Sequence, residues 1–255
     1  MKICGVGFDL GETLLFYRDT PLNWAALYPE ALRAVAAACG ASPTPEQIAG
    51  AGEILARYNT RLVPRIQETT AEDIFPLILR SWGLDAARHS PAALEAFFNF
   101  FQQNMAPYPE TVRVLTALRA RGVPIGILTD VPYGMPRRFV QRDLDRAGLS
   151  GLCDVLLTSV EVGVRKPEPA GYLALAARLG LAPEEMLYVG NEPKDVIGAC
   201  RAGVAAAFLD RAGGADPHGQ DFNITTLAEI EEIIAGRTKP GSSYSGESRK
   251  PGSPG

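Results

Sequence analysis

The chain begins with a short apolar run that ends on an acidic residue. Residues 3–8 read Ile-Cys-Gly-Val-Gly-Phe, and Asp9, Leu10 and Gly11 follow them directly. An apolar run of this length before a turn residue is typical of a strand that is buried in a parallel sheet. In open α/β sheets, ligands bind at the carboxyl ends of the strands. The pattern therefore predicts that a buried strand carries the Asp9 carboxylate to a binding edge.

Alternating strand-like and helix-like patterns along the second half of the chain predict an α/β fold. Short apolar runs alternate with helical periodicity, as in βαβ units on a parallel sheet. We predict a Rossmann-like, doubly wound parallel sheet of about five strands. The predicted strands are Lys2–Asp9, Val123–Thr129, Asp154–Thr158, Met186–Gly190 and Val204–Leu209, and the predicted helices between them are Glu110–Arg121, Pro136–Ala147, Pro169–Leu179 and Val196–Ala202.

Residues 16–105 follow a different pattern, which predicts an inserted helical domain. The segment is rich in Ala, Leu, Arg and aromatic residues and contains no clear strand. Capping residues at Thr44, Thr70 and Ser90 mark helix starts, and about four helices fit. We expect a small helical cap over the strand ends, with residues 1–15 and 106–236 forming the α/β core. Residues 237–255 are rich in Gly, Pro and Ser and are predicted to be a disordered tail.

Charge and hydropathy argue against several classes of function. The formal net charge of −4 is unlike that of a dedicated nucleic-acid-binding protein, which usually carries a basic patch. No apolar run approaches the ~20 residues that span a bilayer. Asp9 also interrupts the first apolar stretch too early for a signal peptide. We therefore expect a cytoplasmic protein that binds neither nucleic acid nor membrane; the sequence leaves its oligomeric state open.

Three more polar motifs follow the first one in a recognisable order. Thr129 and Asp130 follow the apolar run at 125–128, Lys166 lies in Gly-Val-Arg-Lys-Pro, and residues 190–195 read Gly-Asn-Glu-Pro-Lys-Asp. Together with Asp-Leu-Gly-Glu-Thr-Leu at 9–14, these segments resemble the four motifs of the haloacid dehalogenase superfamily. The resemblance spans about residues 1–235 and includes a helical insertion after the first motif.

The resemblance implies a hydrolase that acts on a small phosphorylated metabolite, either a phosphate ester or an anhydride. Asp9 would attack phosphorus and form an aspartyl-phosphate that water then hydrolyses. Thr129 and Lys166 would act with Asp9 as catalytic residues. The phosphate-binding residues that the resemblance implies are Gly11, Glu12, Thr129, Asp130 and Lys166.

The resemblance also implies a Mg²⁺ cofactor. In such a site Asp9, the main-chain carbonyl of Gly11 and the carboxylate of Asp195 would supply oxygen ligands, with Glu192 as a further donor. Mg²⁺ prefers oxygen ligands and keeps several waters, so three protein oxygens are sufficient.

Two positions depart from the family pattern. Gly11 stands where phosphatases of the family place a second aspartate, and Asn191 replaces the first aspartate of the fourth motif. The change at Gly11 removes a group for proton transfer, which typically contributes ~10²–10⁴-fold to the rate. Glu12 is adjacent, but neighbouring residues on a tight turn point in different directions, and we interpret it as a loop residue.

These departures leave two alternatives to a phosphatase. A 2-haloacid dehalogenase also lacks the second aspartate; there Asp9 would attack carbon without a metal, although that subgroup usually has an aromatic residue at position 11. A weakened family member could instead act as a phosphometabolite-binding protein, which Gly11 and Asn191 favour. The intact Asp9, Thr129, Lys166 and Asp195 argue against a pure binding protein.

Arginines recur at every fourth position within the predicted insertion. Arg57, Arg61 and Arg65 would share one helix face, and Pro64 would end or kink that helix. Such a face could hold an anionic substrate, but the pattern favours a solvated charged surface.

Overall fold

A computed structural model describes residues 2–214 and 217–237. Apart from Arg237, the predicted disordered tail lies outside these residues. Within the described ranges, no helix is both long and apolar enough to cross a membrane. The strands are β1 (Gly5–Phe8), β2 (Leu15–Tyr17), β3 (Met105–Pro107), β4 (Ile125–Thr129), β5 (Val155–Thr158), β6 (Met186–Gly190), β7 (Ala205–Leu209) and β8 (Phe222–Ile224), and the helices are α1 (Tyr28–Ala38), α2 (Pro45–Tyr58), α3 (Ala71–Ser81), α4 (Ala86–Phe101), α5 (Thr111–Ala120), α6 (Arg137–Arg146), α7 (Ser159–Val162), α8 (Ala170–Arg178), α9 (Pro193–Arg201) and α10 (Ile230–Ile234).

Six of these strands form one parallel sheet in the order β5-β4-β1-β6-β7-β8. The predicted α/β class is confirmed, and the first strand of the chain lies near the middle of the sheet. The sheet has one strand more than predicted. The additional strand, β8, is a three-residue edge strand whose middle residue, Asn223, is exposed, so it leaves little apolar pattern in the sequence.

The sheet is covered on both faces, as a doubly wound fold requires. Every residue of β1, β4, β6 and β7 is buried. Alternate residues of β6 belong to different apolar clusters, because successive side chains in a strand point to opposite faces. Leu187 and Val189 pack with β1, whereas Met186 and Tyr188 pack with Tyr172 of α8. This two-sided burial explains why the strands appear in the sequence as continuous apolar runs.

The helices α1–α4, called the helical segment below, lie between β2 and β3, which pair with each other antiparallel. Capping boxes at Thr44 and Thr70 confirm two of the predicted helix starts. The predicted start at Ser90 is wrong. Helix α4 begins at Ala86, because the Asp85 side chain accepts hydrogen bonds from the first free backbone N–H groups. The division into a core and a cap remains a prediction.

Candidate active site

The ends of three neighbouring strands meet at one wall of a cavity of about 920 Å³. Asp9 follows β1, Thr129 ends β4, and Asn191 follows β6, with β1 between the other two strands. Residues of the helical segment, including Tyr58, line the same cavity. Of the predicted site residues, Gly11, Glu12, Asp130, Lys166 and Glu192 also line it, and Asp195 does not.

Lys166 joins two carboxylates beneath this cavity. Its Nζ donates to Asp9 Oδ1 at 2.5 Å and to Asp195 Oδ1 at 2.6 Å, and the side chain is almost fully buried. Burial alone lowers the pKa of Lys166, but the carboxylates of Asp195 and Asp9 outweigh burial and hold the pKa well above its usual value. Lys166 is therefore a permanent cation that fixes the position of Asp9.

Asp9 lies in an environment that disfavours its charge. Burial raises the pKa of Asp9 to about 6; Lys166 opposes this shift and the Asp195 carboxylate adds to it. The contact with Lys166 uses Oδ1. Because the hydrogen bond from Lys166 goes to Oδ1, a single orientation of the side chain can hold this oxygen and offer the other, Oδ2, for chemistry.

Asp130 positions the loop that carries Lys166. Its Oδ1 accepts the backbone N–H of Lys166 at 3.1 Å, and its Oδ2 lies 3.2 Å from Nζ of Lys194. Burial favours the neutral acid, but Lys166, Arg165 and Lys194 outweigh it and lower the pKa of Asp130. Asp130 is therefore an ionised buried anchor, and Thr129 beside it is likewise buried at the cavity wall.

Both carboxylates predicted from the fourth motif are already paired. Asp195 Oδ1 accepts from Lys166, and its Oδ2 accepts the backbone N–H of Glu192 at 2.9 Å. Glu192 Oε1 lies 2.5 Å from Arg61, and its Oε2 lies 2.8 Å from Lys194. Burial would raise the pKa of Glu192, but these two cations lower it. Neither carboxylate offers an oxygen without a partner.

Oxygen donors that suit a divalent cation lie on the cavity wall at three other points. These are the Asp9 carboxylate, the Gly11 carbonyl and the side-chain oxygen of Asn191, which also accepts a hydrogen bond from Thr13 Oγ1 at 3.0 Å. Among the described residues, no group of three Asp, Glu, His or Cys side chains could hold a metal. The donors fit Mg²⁺ by type, because this ion is commonly held by one or two carboxylates together with waters and substrate phosphate.

The turn after β1 has its glycine where the backbone does not require one. Gly11 is outside the left-handed region, and a Cβ built on it meets no atom within 4 Å. Glu12 instead has a φ of 58°. Its Oε2 accepts a hydrogen bond from the Tyr108 hydroxyl at 2.9 Å, so the carboxylate is already held by the α/β part of the chain.

The predicted arginine face does not exist. Helix α2 ends at Tyr58, so Arg61 and Arg65 lie in the following loop and only Arg57 is helical. Arg61 lines the cavity and forms an ion pair with Glu192. Arg65 donates to the Tyr58 carbonyl at 2.6 Å and pairs with Glu68. The helix ends before Pro64 because Asn59 adopts an extended conformation and its side chain bonds Asn23 and Tyr28.

The packing of aromatic rings on the cavity wall could not be predicted from the sequence. Trp24 stacks on Phe101 with ring centroids 3.9 Å apart and also packs against Tyr133. These rings come from three separate segments and follow no common spacing, so no pattern brings them together. They give part of the cavity an apolar, aromatic wall.

Comparisons with known protein sequences all indicate the same family of hydrolases. A family model described as haloacid dehalogenase-like hydrolase matches residues 4–203. Glyceraldehyde 3-phosphate phosphatase from Methanopyrus kandleri is 31% identical over 168 residues, which cover 63% of this chain and 70% of that protein. Phosphoserine phosphatase from Thermus thermophilus is 35% identical over 186 residues, which cover 69% of this chain and 70% of that protein.

Two solved structures extend the similarity to the fold. A haloacid dehalogenase-type (HAD) phosphatase from Thermococcus onnurineus has a TM-score of 0.62 and 28% identity, with 92% of this chain and 99% of that chain covered. A 2-haloacid dehalogenase from Pseudomonas syringae has a TM-score of 0.66 and 25% identity, with 92% of this chain and 100% of that chain covered.

Proposed function

Because the chain belongs to the haloacid dehalogenase-like hydrolase family, we propose that it hydrolyses small phosphate monoesters through an aspartyl-phosphate on Asp9. The observation that carries this proposal is the contact between Lys166 Nζ and Asp9 Oδ1 at the end of the central strand. The phosphatase relatives support the same class of substrate. We further propose that the substrate is a small phosphorylated metabolite of the cytoplasm.

Two displacements at phosphorus complete the reaction. In the first, Asp9 Oδ2 attacks the phosphorus, the bond from phosphorus to the leaving oxygen breaks, and that oxygen takes up one proton from the solvent. In the second, water attacks the same phosphorus and loses one proton, the bond to Asp9 breaks, and inorganic phosphate leaves. Lys166 keeps Asp9 oriented throughout and offsets the negative charge that gathers at the strand ends.

We propose that Asp9, the Gly11 carbonyl and Asn191 hold the Mg²⁺ on which phosphatases of this family generally depend. Asn191 replaces Asp195 and Glu192 in this set, because Asp195 does not line the cavity and both carboxylate oxygens of Glu192 are paired with cations. When bound, Mg²⁺ offsets the charge of an anionic phosphate beside the Asp9 carboxylate. With a single carboxylate in the set, the substrate phosphate would supply further negative charge to the ion.

The leaving group must depart without help from a carboxylate at position 11. Glycine supplies no side chain there, and Glu12 is hydrogen-bonded to Tyr108. At equal binding, the chemical step should therefore be faster for phosphates whose leaving group is stable without a proton, such as acyl and aryl phosphates, than for alkyl phosphates.

The glycine at position 11 also fits a second candidate function, that of a 2-haloacid dehalogenase. The solved 2-haloacid dehalogenase is similar over nearly the whole chain, and Gly11 lacks the phosphatase carboxylate. In that reaction Asp9 attacks carbon, the halide leaves with the electron pair of the broken carbon–halogen bond, and water hydrolyses the resulting ester. A halide needs no proton and the reaction needs no metal.

One experiment separates these functions. The purified protein is assayed with p-nitrophenyl phosphate, a set of phosphorylated metabolites and a short 2-haloacid, each with Mg²⁺ and with EDTA. We expect phosphate release that EDTA abolishes and no halide release. Halide release that persists in EDTA would replace the proposed function by the second candidate.

A further inference from the structure

A buried polar cluster lies on the cavity wall apart from the strand ends. It consists of Tyr17 on β2, Gln102 at the end of α4 and Asp143 on α6, and all three line the cavity. Gln102 is 2% exposed and Asp143 is 1% exposed. None of the three belongs to the motifs that carry the proposed chemistry.

The hydrogen bonds of this cluster converge on one carboxylate oxygen. The Tyr17 hydroxyl and Gln102 Nε2 each donate to Asp143 Oδ2 at 2.5 Å, and Nε2 also donates to the Phe139 carbonyl at 2.9 Å. Because both partners of the Gln102 nitrogen are acceptors, the orientation of its amide is fixed. Asp143 Oδ1 and Gln102 Oε1 are left as buried acceptors without a partner among the described residues.

Two such acceptors are costly in a folded protein. Each buried polar atom without a partner costs about 1–3 kcal/mol, and most native structures satisfy these groups with protein, water or ligand. Within residues 2–214 and 217–237, no lysine or arginine forms an ion pair with Asp143, and the nearby Arg142 pairs with Glu95 instead. Burial raises the pKa of Asp143; the hydrogen bonds from Tyr17 and Gln102 and the charges of Arg146 and Arg142 oppose this shift without cancelling it. The cluster lacks hydrogen-bond donors and a cation in direct contact with the carboxylate.

The missing groups identify the ligand by its chemistry. A hydroxyl supplies one proton and no charge, whereas an ammonium supplies three donors and the cation that a buried carboxylate needs. The surrounding wall includes Trp24, Phe101, Met135 and Val140. These side chains suit a short carbon chain between the ammonium and a second polar group.

We propose that Asp143 Oδ1 and Gln102 Oε1 bind the ammonium group of an amino-alcohol phosphate whose phosphate lies at Asp9. Tyr17 is a positioning residue, because it holds Oδ2 and leaves Oδ1 as the acceptor for the ligand. The inference rests on the proposed function, since it assigns the leaving group of that reaction.

The substrate test uses three matched series of phosphate monoesters of increasing chain length. They end in an amino, a hydroxyl or a methyl group and are otherwise alike. We expect the best amino compound to exceed its hydroxyl and methyl counterparts about tenfold or more in kcat/KM. Equal kcat/KM values across the three series in the wild-type protein would overturn the inference without any variant being made.

Variants separate ligand binding from a structural role. Asp143→Asn keeps an oxygen for Tyr17 and Gln102 but removes the charge, so it should lower kcat/KM for the amino series alone. Asp145→Asn is the matched control, because Asp145 is exposed on the same helix and bonds Ser150 and Gln141; it should keep the amino preference. An equal fall for all three series in Asp143→Asn would mean that Asp143 only supports the fold.

A binding measurement distinguishes failure of this inference from failure of the proposed function. Calorimetric titration of the Asp9→Asn protein with the same three series requires no turnover. Tighter binding of the amino series, lost when Asp143→Asn is added, supports the subsite even where the wild type releases no phosphate. Phosphate release by the wild type with equal binding of all three series refutes the subsite and leaves the proposed function in place.

Discussion

Glu12, rather than Gly11, adopts the left-handed conformation at the turn after β1. The φ of Glu12 is 58°, a region that favours glycine, whereas Gly11 lies outside it. Space around Gly11 is also open, since a Cβ there meets no atom within 4 Å. Neither the backbone nor packing therefore requires glycine at position 11, and a side chain can be introduced there to test its chemical role.

Gly11→Asp should raise activity most for substrates with poor leaving groups. A carboxylate at this position could protonate a departing alcohol, which matters little for p-nitrophenol and much for alkyl alcohols. We expect kcat/KM for alkyl phosphates to rise about tenfold or more and that for p-nitrophenyl phosphate to change little. The measurement is a leaving-group series for wild type and variant.

Gly151→Asp provides the matched control for that series. Gly151 also has open space around it and no left-handed backbone, and it does not line the cavity. The Gly151→Asp variant should leave the dependence of kcat/KM on the leaving group unchanged. A wild-type enzyme that is already indifferent to the leaving group would contradict the prediction and point to another proton donor.

Glu12→Gly should affect catalysis only slightly. Relief of the left-handed strain at residue 12 should raise the free energy of unfolding by about 1 kcal/mol or more. Loss of the hydrogen bond from Tyr108 should lower it by about 1 kcal/mol. We therefore expect a melting temperature close to that of the wild type and a kcat/KM within about threefold. A loss of about 10²-fold confined to alkyl phosphates would identify Glu12 as the missing acid.

Asn191→Asp should strengthen Mg²⁺ binding. It adds a second carboxylate beside Asp9 and keeps an oxygen for the Thr13 hydroxyl. The half-saturating Mg²⁺ concentration for activity should fall about tenfold, because the affinity for hard cations rises with ligand charge. Glu192→Gln is the comparison, and it should leave that concentration nearly unchanged. A larger change for Glu192→Gln would place the metal at Glu192 instead.

Asp143→Asn should stabilise the ligand-free protein increasingly as the pH rises. Burial raises the folded-state pKa of Asp143 above its ordinary 3.8. The contribution of Asp143 to stability is therefore full below the unfolded pKa and is lost as the pH rises through the folded pKa. The amide does not titrate, so the melting temperature of the variant should rise relative to that of the wild type as the pH increases above about 4. A difference in melting temperature between the two proteins that stays constant from pH 4 to pH 8 would contradict the raised pKa.

The strand-end residues could be predicted because their position depends on local sequence. Asp9 ends a buried apolar run, and the carboxyl ends of parallel strands share one edge, so the predicted strands bring Asp9, Thr129 and the segment at 190–195 together. The pairing of the side chains could not be predicted. Whether Asp195 faces a metal or Lys166 depends on side-chain orientations that no sequence period encodes.

The side of the cavity that the helical segment contributes depends on contacts between distant segments. Arg61 leaves the helix because Asn59 bonds Asn23 and Tyr28, a tertiary effect that overrides helical periodicity. Tyr17 and Asp143 are 126 residues apart in the sequence, yet they share a hydrogen bond. Isolated polar residues of this kind are indistinguishable in the sequence from surface residues.

The most direct test of the proposed function is a search for the covalent intermediate on Asp9. The protein is mixed with p-nitrophenyl phosphate and Mg²⁺, quenched in acid within the first turnover and analysed by intact-protein and peptide mass spectrometry. We predict one added phosphoryl group on the peptide that contains Asp9 in the wild type and in Asp145→Asn, and none in Asp9→Asn, whose steady-state phosphate release should also be abolished. Undiminished phosphate release by a folded Asp9→Asn protein would contradict the assignment of Asp9 as the nucleophile.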